Sequence, residues 1–181
     1  MKKTVVMAAI LGGVGFSCAA SADNLASHVF TWSGTVPAIS TQSNFIIKSD
    51  AGTDIENGTL LFLTDPTGKG VLHSASTVGF NVFEFDAMNQ VLGEEATSYS
   101  YELTHLAATK NGLVIEQGTD GYYAINADGT TMVKGTAISK SSGGSTVLSV
   151  EPTNVANPTN QPEAGDDVAV HATIVISDAR M

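Results

Sequence analysis

Any chemistry this chain performs has to come from a small set of side chains. There are four histidines, His28, His73, His105 and His171. None forms a His-x-x-x-His pair, and no cysteine can join them, so the spacing gives no metal centre. The carboxylates cluster only as Glu94-Glu95 and Asp166-Asp167, both in loop-like surroundings. A glycosidase needs two carboxyls facing each other across a sugar. With 18 acidic residues, chance alone would bring some pair to that distance. Serine is plentiful, but no Gly-x-Ser-x-Gly elbow occurs. Gly68-Lys69-Gly70 lacks the rest of a P-loop. Asp120-Gly121 and Asp128-Gly129 read as turns, not calcium loops. No catalytic, cofactor-binding or metal-ligating set emerges, so we expect a protein that is not an enzyme and carries no cofactor.

The chain that must position these residues has 181 of them and a formal net charge of -10. That length suits one domain with a short appendage. Hydrophobic residues make up 43%, too many for a disordered chain, while charged residues are only 14%. With 8 basic residues against 18 acidic, nothing could neutralise a run of phosphates, so nucleic acid is excluded as a partner. Lys2-Lys3, an apolar run over Thr4 to Phe16 and small residues at Ala20-Ser21-Ala22 have the layout of a secretory signal peptide over 1–22. The apolar run is too short to span a bilayer, and bulky Phe16 makes a poor lipobox before Cys18. Cleavage after Ala22 would remove the only cysteine, so stability would rest on the core and on strand pairing alone.

Beyond residue 22, period-2 alternation recurs and helical periodicity is nearly absent. Strands are expected at Phe45–Ile47, Thr59–Thr64, Thr77–Asp86, around Tyr99, Tyr101 and Leu103, at Leu113–Ile115, at Tyr122–Ile125 and at Thr130–Val133. In Thr77–Asp86, Val78, Phe80 and Val82 share one parity and Phe83 and Phe85 the other, a phase change that marks a bulge. Asp65-Pro66-Thr67-Gly68, Asn111-Gly112 and Asp128-Gly129 supply turns. Ala87–Glu95 carries a weak signal for one helical turn. Residues 139–167 are rich in Gly, Ser, Pro and Asn and read as a long exposed excursion, with only Val147, Leu148 and Val150 strand-like. The last strand, Val168–Ile176, has Val168, Val170, Ala172, Ile174 and Ile176 on one face, which would meet a core. The pattern is that of an all-β sandwich.

The segment Val29-Phe30-Thr31-Trp32-Ser33-Gly34-Thr35-Val36-Pro37 alternates apolar with small polar residues, and Gly34 replaces one apolar position. It resembles the N-terminal donor strand of chaperone–usher fimbrial subunits, in particular the disulfide-free major pilins of enterotoxigenic-type adhesion fimbriae. Val168–Ile176 resembles the closing strand of the same family. The chain lacks the family's usual pair of cysteines and the aromatic residue next to last, and Ile176 lies five residues before the end.

The resemblance implies an incomplete immunoglobulin-like pilin β-sandwich over 39–181, completed by donor-strand exchange. Residues 23–38 would be the donor extension. Phe30, Trp32 and Val36 would fill pockets of a neighbouring subunit, and Gly34 would fit a shallow one. Val170, Ala172, Ile174 and Ile176 would line the acceptor groove. Burying the three large donor side chains would contribute roughly 1.5–3 kcal/mol each. The implied partners are identical or related fimbrial subunits, a periplasmic chaperone, an outer-membrane usher and a host glycan or protein receptor. The implied location is the cell surface, reached through the periplasm. The residues alone also admit an ordinary first strand at 29–36, and a secreted, self-contained carbohydrate-binding β-sandwich that uses Tyr99, Tyr101, Tyr122 and Tyr123 as stacking platforms. A small exported hydrolase is a third class.

Overall fold

The computed structural model describes residues 44–181. The signal peptide and the donor segment, with Phe30, Trp32, Gly34 and Val36, lie outside the described residues. Among the described residues there are twelve strands and no helix, and every ladder between named strands is antiparallel.

One sheet has the order β1 (Phe45–Lys48), β4 (Val78–Asp86), β11 (Thr146–Pro152), β8 (Tyr123–Ala127) and β9 (Thr130–Thr131), with β5 (Val91–Glu95) also on β4. The second has the order β10 (Ala137–Lys140), β6 (Ser98–Lys110) and β12 (Val168–Arg180), with β7 (Leu113–Glu116) also on β6. A hairpin of β2 (Leu60–Thr64) and β3 (Gly70–Ala75) stands apart. The two sheets share one core. Phe80 and Val82 of β4 and Ile125 and Ala127 of β8 meet Tyr99, Tyr101 and Leu103 of β6. Ile174 and Ile176 of β12 and Leu148 and Val150 of β11 pack against this cluster. A second cluster places Leu72 of β3 with Ala108, Tyr122 and Tyr123. The arrangement is consistent with a β-sandwich.

Local sequence explains most boundaries. Asn111 and Gly112 have φ of 51° and 81°, the backbone a two-residue hairpin turn requires, and Lys110 pairs with Leu113 across it. Asp128-Gly129 repeats the device between β8 and β9. The expected bulge lies on the partner strand and not in β4: β4 pairs without a break with β1 over Asn81–Glu84, and opposite Phe83–Phe85 the extra residue falls on β5 between Leu92 and Glu95.

Two further expectations are corrected. Ala87–Glu95 contains no helical turn. Asp86 Oδ1 accepts the N–H groups of Met88 and Asn89 at 2.9 and 3.1 Å, and the tight loop leads straight into β5. The span 139–167 is not one exposed excursion. It holds the end of β10 and all of β11, which lies inside its sheet between β4 and β8. The β11–β12 connection that follows is pinned. Gly70 N–H donates to Pro162 O at 2.8 Å, Ala164 N–H to Gly68 O at 2.9 Å and Thr159 N–H to Asp120 O at 2.8 Å. Pro162 is buried.

Candidate functional site

β12 is the strand on which the expected site depends. Among the described residues it pairs with β6 on one edge only, along Val168–Arg180. Thirteen residues at about 3.3 Å each make a long edge of backbone donors and acceptors. Natural edge strands are usually guarded by Lys, Pro or a bulge. Val168–Ser177 contains no Lys and no Pro. Its one register slip in that stretch falls between Thr173 and Ile174.

The core side of this edge opens into a groove of about 270 Å³. Phe45, Ile46 and Ile47 of β1 form one wall and Val82 of β4 contributes from inside. Ile176, Ser177, Asp178 and Ala179 of β12 form the other wall. The groove therefore lies between a strand of one sheet and the edge strand of the other. Val82 is fully buried, so the deepest part is apolar. The far end is shaped by a bulge. Asp178 has φ of 51°, and the β12 register jumps between Ser177 and Arg180. The chain is held past the bulge by Thr97, whose N–H donates to Arg180 O at 2.8 Å. A bulge re-aims the residues after it. Ala179 thereby packs against the core alongside Ile176.

The expected acceptor residues divide. Ile176 lines the groove. Val170 and Ile174 are half-buried and pack on the core away from this depression. Ala172 is exposed. The strand also runs on to Arg180, so the segment after Ile176 is not a loose tail. Sequence reasoning missed Phe45, Ile47, Val82 and Ala179 as groove residues. The run Phe45-Ile46-Ile47 was visible as apolar, but nothing local says which strand it faces.

The four tyrosines do not form an open platform. Tyr99, Tyr101, Tyr122 and Tyr123 are each at most 5% exposed. Tyr99 and Tyr101 pack on Phe80 with ring centroids 6.3 and 6.2 Å away. The Tyr122 hydroxyl accepts Leu72 N–H at 2.8 Å. Burial pushes the phenols of Tyr99, Tyr101 and Tyr123 above their ordinary value, so they stay neutral core groups. Among the described residues no group of three His, Cys, Asp or Glu converges on a point that could hold a metal ion.

No protein-family model matches the chain, and no curated protein matches it significantly.

Proposed function

We propose that the chain is a structural subunit of a surface fimbria, polymerised by donor-strand exchange. One observation carries this reading: the order of strands and the place where it stops. An immunoglobulin-type sandwich has strands A, B, E and D in one sheet and C, F and G in the other. In chain order, β1, β4, β6, β8, β11 and β12 take the places of A to F. The first sheet then reads A-B-E-D and the second has F beside C. Strand G would stand on the outer edge of β12, the edge that has no partner among the described residues. The short β5, β7, β9 and β10 and the β2–β3 hairpin are additions to that plan.

An incoming strand there would add backbone hydrogen bonds along β12 and place alternate side chains into the groove beside Phe45, Ile47 and Ile176. Phe30, Trp32, Gly34 and Val36 have the alternation this requires. The leading segment of one subunit would thus complete the next. A periplasmic chaperone would cover the same edge before assembly, and an outer-membrane usher would pass subunits to the surface. The chain would act as a repeating shaft subunit and not as an enzyme. A self-contained carbohydrate-binding sandwich is less well supported, because its proposed tyrosine platform is core.

Two variants test the reading in cells that produce the protein. Deleting 23–37 is expected to abolish high-mass, heat-dissociable polymers while leaving a folded, chaperone-bound subunit. Gly34→Leu is expected to block assembly at the step after chaperone binding. Normal polymers from Gly34→Leu would overturn the pocket assignment. A stable, unassociated monomer as the sole product of the unaltered chain would overturn the proposal.

A further inference from the structure

A second depression, of about 440 Å³, has the opposite character. Asp65, Thr67 and Lys69 of the β2–β3 turn line one side, and Asn157, Pro158, Asn160 and Gln161 of the β11–β12 connection line the other. Both sides are fixed before any ligand arrives. Asp65 Oδ1 accepts Thr67 N–H at 2.8 Å, Lys69 N–H at 3.0 Å and the Thr67 hydroxyl at 2.7 Å. Gln161 Nε2 donates to Gly70 O at 3.1 Å, which ties the second side to the first. Gly70 N–H to Pro162 O makes a second tie.

Several polar groups at this place are left uncommitted. Among the described residues, the carboxamides of Asn157 and Asn160, Gln161 Oε1 and Asp65 Oδ2 make no hydrogen bond, although Asn160, Gln161 and Asp65 are half-buried. Asn157 and Asn160 have φ of 55° and 64°, held by a loop stitched at Thr159 and Pro162. A carboxamide offers two donors and an acceptor, and a sugar hydroxyl is both donor and acceptor. Charge narrows the choice. Lys69 Nζ pairs with Glu163 at 2.6 Å, so the cation is already balanced, and the Asp65 carboxylate opposes an anion. The Lys69 ammonium at the same wall opposes a divalent cation. Half-buried Pro158 supplies one apolar facet. The volume falls within the range of small-ligand sites, roughly 300–1,000 Å³.

We infer that this basin binds a neutral sugar ring of a glycan through Asn157, Asn160, Gln161 and Asp65. The inference does not depend on donor-strand exchange. The test is saturation-transfer NMR on the purified full-length protein, as monomer or polymer. The probes are methyl α-D-galactopyranoside, methyl α-D-glucopyranoside and N-acetyl-D-glucosamine, with N-acetylneuraminic acid and calcium chloride as controls. At least one neutral probe is expected to bind with a Kd of about a millimolar. Asn157→Gly/Asn160→Gly keeps the left-handed backbone and removes both carboxamides. It is expected to weaken binding about tenfold or more, with an unchanged melting temperature. Should that variant lose its fold, Asn157→Asp/Asn160→Asp, which keeps shape but replaces donors with acceptors, is expected to show the same loss. Transfer to none of the neutral sugars, transfer unaltered by the variants, preference for N-acetylneuraminic acid, or sugar binding abolished by calcium competing for the basin would each overturn the inference.

Discussion

Tyr99 illustrates how a polar group is kept inside this core. Its hydroxyl donates to Gly144 O at 2.7 Å and lies 2.8 Å from the hydroxyl of Thr146, which is fully buried. The pair fixes the middle of the molecule to the turn between β10 and β11. That turn contains Gly143, with φ of 61°, where an added Cβ would stand 2.4 Å from Ala96 O. Gly112 also has positive φ, of 81°, but an added Cβ there would meet nothing within 4 Å. The two glycines separate backbone strain from collision. Gly112→Ala should cost about 1 kcal/mol, the strain of a left-handed L-residue. Gly143→Ala should cost about 1–3 kcal/mol more, because a backbone carbonyl has to move. Urea midpoints of the two variants check the difference, and equal midpoints would show that the close approach at Gly143 is easily relieved.

The β11–β12 connection is held by an ion-pair clasp, and clasps of this kind respond to pH. The Asp166 carboxylate accepts Glu163 N–H at 2.7 Å, pairs with Lys110 Nζ at 2.9 Å and accepts from the Asn111 carboxamide at 2.7 Å. The Glu163 N–H, then Lys110, hold its carboxyl below the ordinary 3.8. A depressed folded value means that its contribution is fully present above 3.8 and is lost as pH falls through the lower folded value. Lys110 is raised above 10.5, first by its hydrogen bond to Asp166, so its share is full below 10.5 and is lost as pH rises through the raised value. Asp166→Asn is expected to melt earlier than the unaltered protein at neutral pH. Its melting temperature should converge on that of the unaltered protein in acid, because protonation removes the same charge. Glu163, Asp65 and Glu116 are also depressed by their partners and leave both proteins with a residual acid slope. Melting curves that stay parallel from neutral pH into acid would remove the clasp from the account of acid sensitivity.

The described part of the chain has no cysteine, so burial and strand pairing hold it together. Its two core clusters share Val150 and Val170, which join one to the other. Against this stands the cost of a β12 edge that no other described strand covers. If a donor strand is what covers it, then stability should rise with the supply of that strand. A peptide spanning 29–37, added to the protein lacking 23–37 at about a hundred times its Kd, would contribute roughly 2.7 kcal/mol by mass action. For a domain of this size that is a rise of about 5–10 °C in Tm. The same peptide with Gly34→Leu should give little or none. Differential scanning calorimetry reads the two curves, and identical effects of both peptides would detach Gly34 from the groove.

Much of the architecture is legible one residue at a time. Positive φ at Asn111-Gly112 and Asp128-Gly129 is a property of those dipeptides, so both hairpins could be read without their surroundings. The alternation in Val168–Ile176 likewise marks a strand wherever it lies. β11 was obscured because Ser149, Glu151 and Pro152 and its Gly- and Pro-rich flanks weaken the local pattern. It is a strand because β4 and β8 pair with it on both sides. The groove was harder still. Phe45 and Ala179 lie at opposite ends of the described chain, and Ala179 points inward only because the bulge at Asp178 shifts its parity. Turns follow from the conformational freedom of adjacent residues. Which distant strands meet follows from closing two sheets over one core, and that free energy belongs to no short segment.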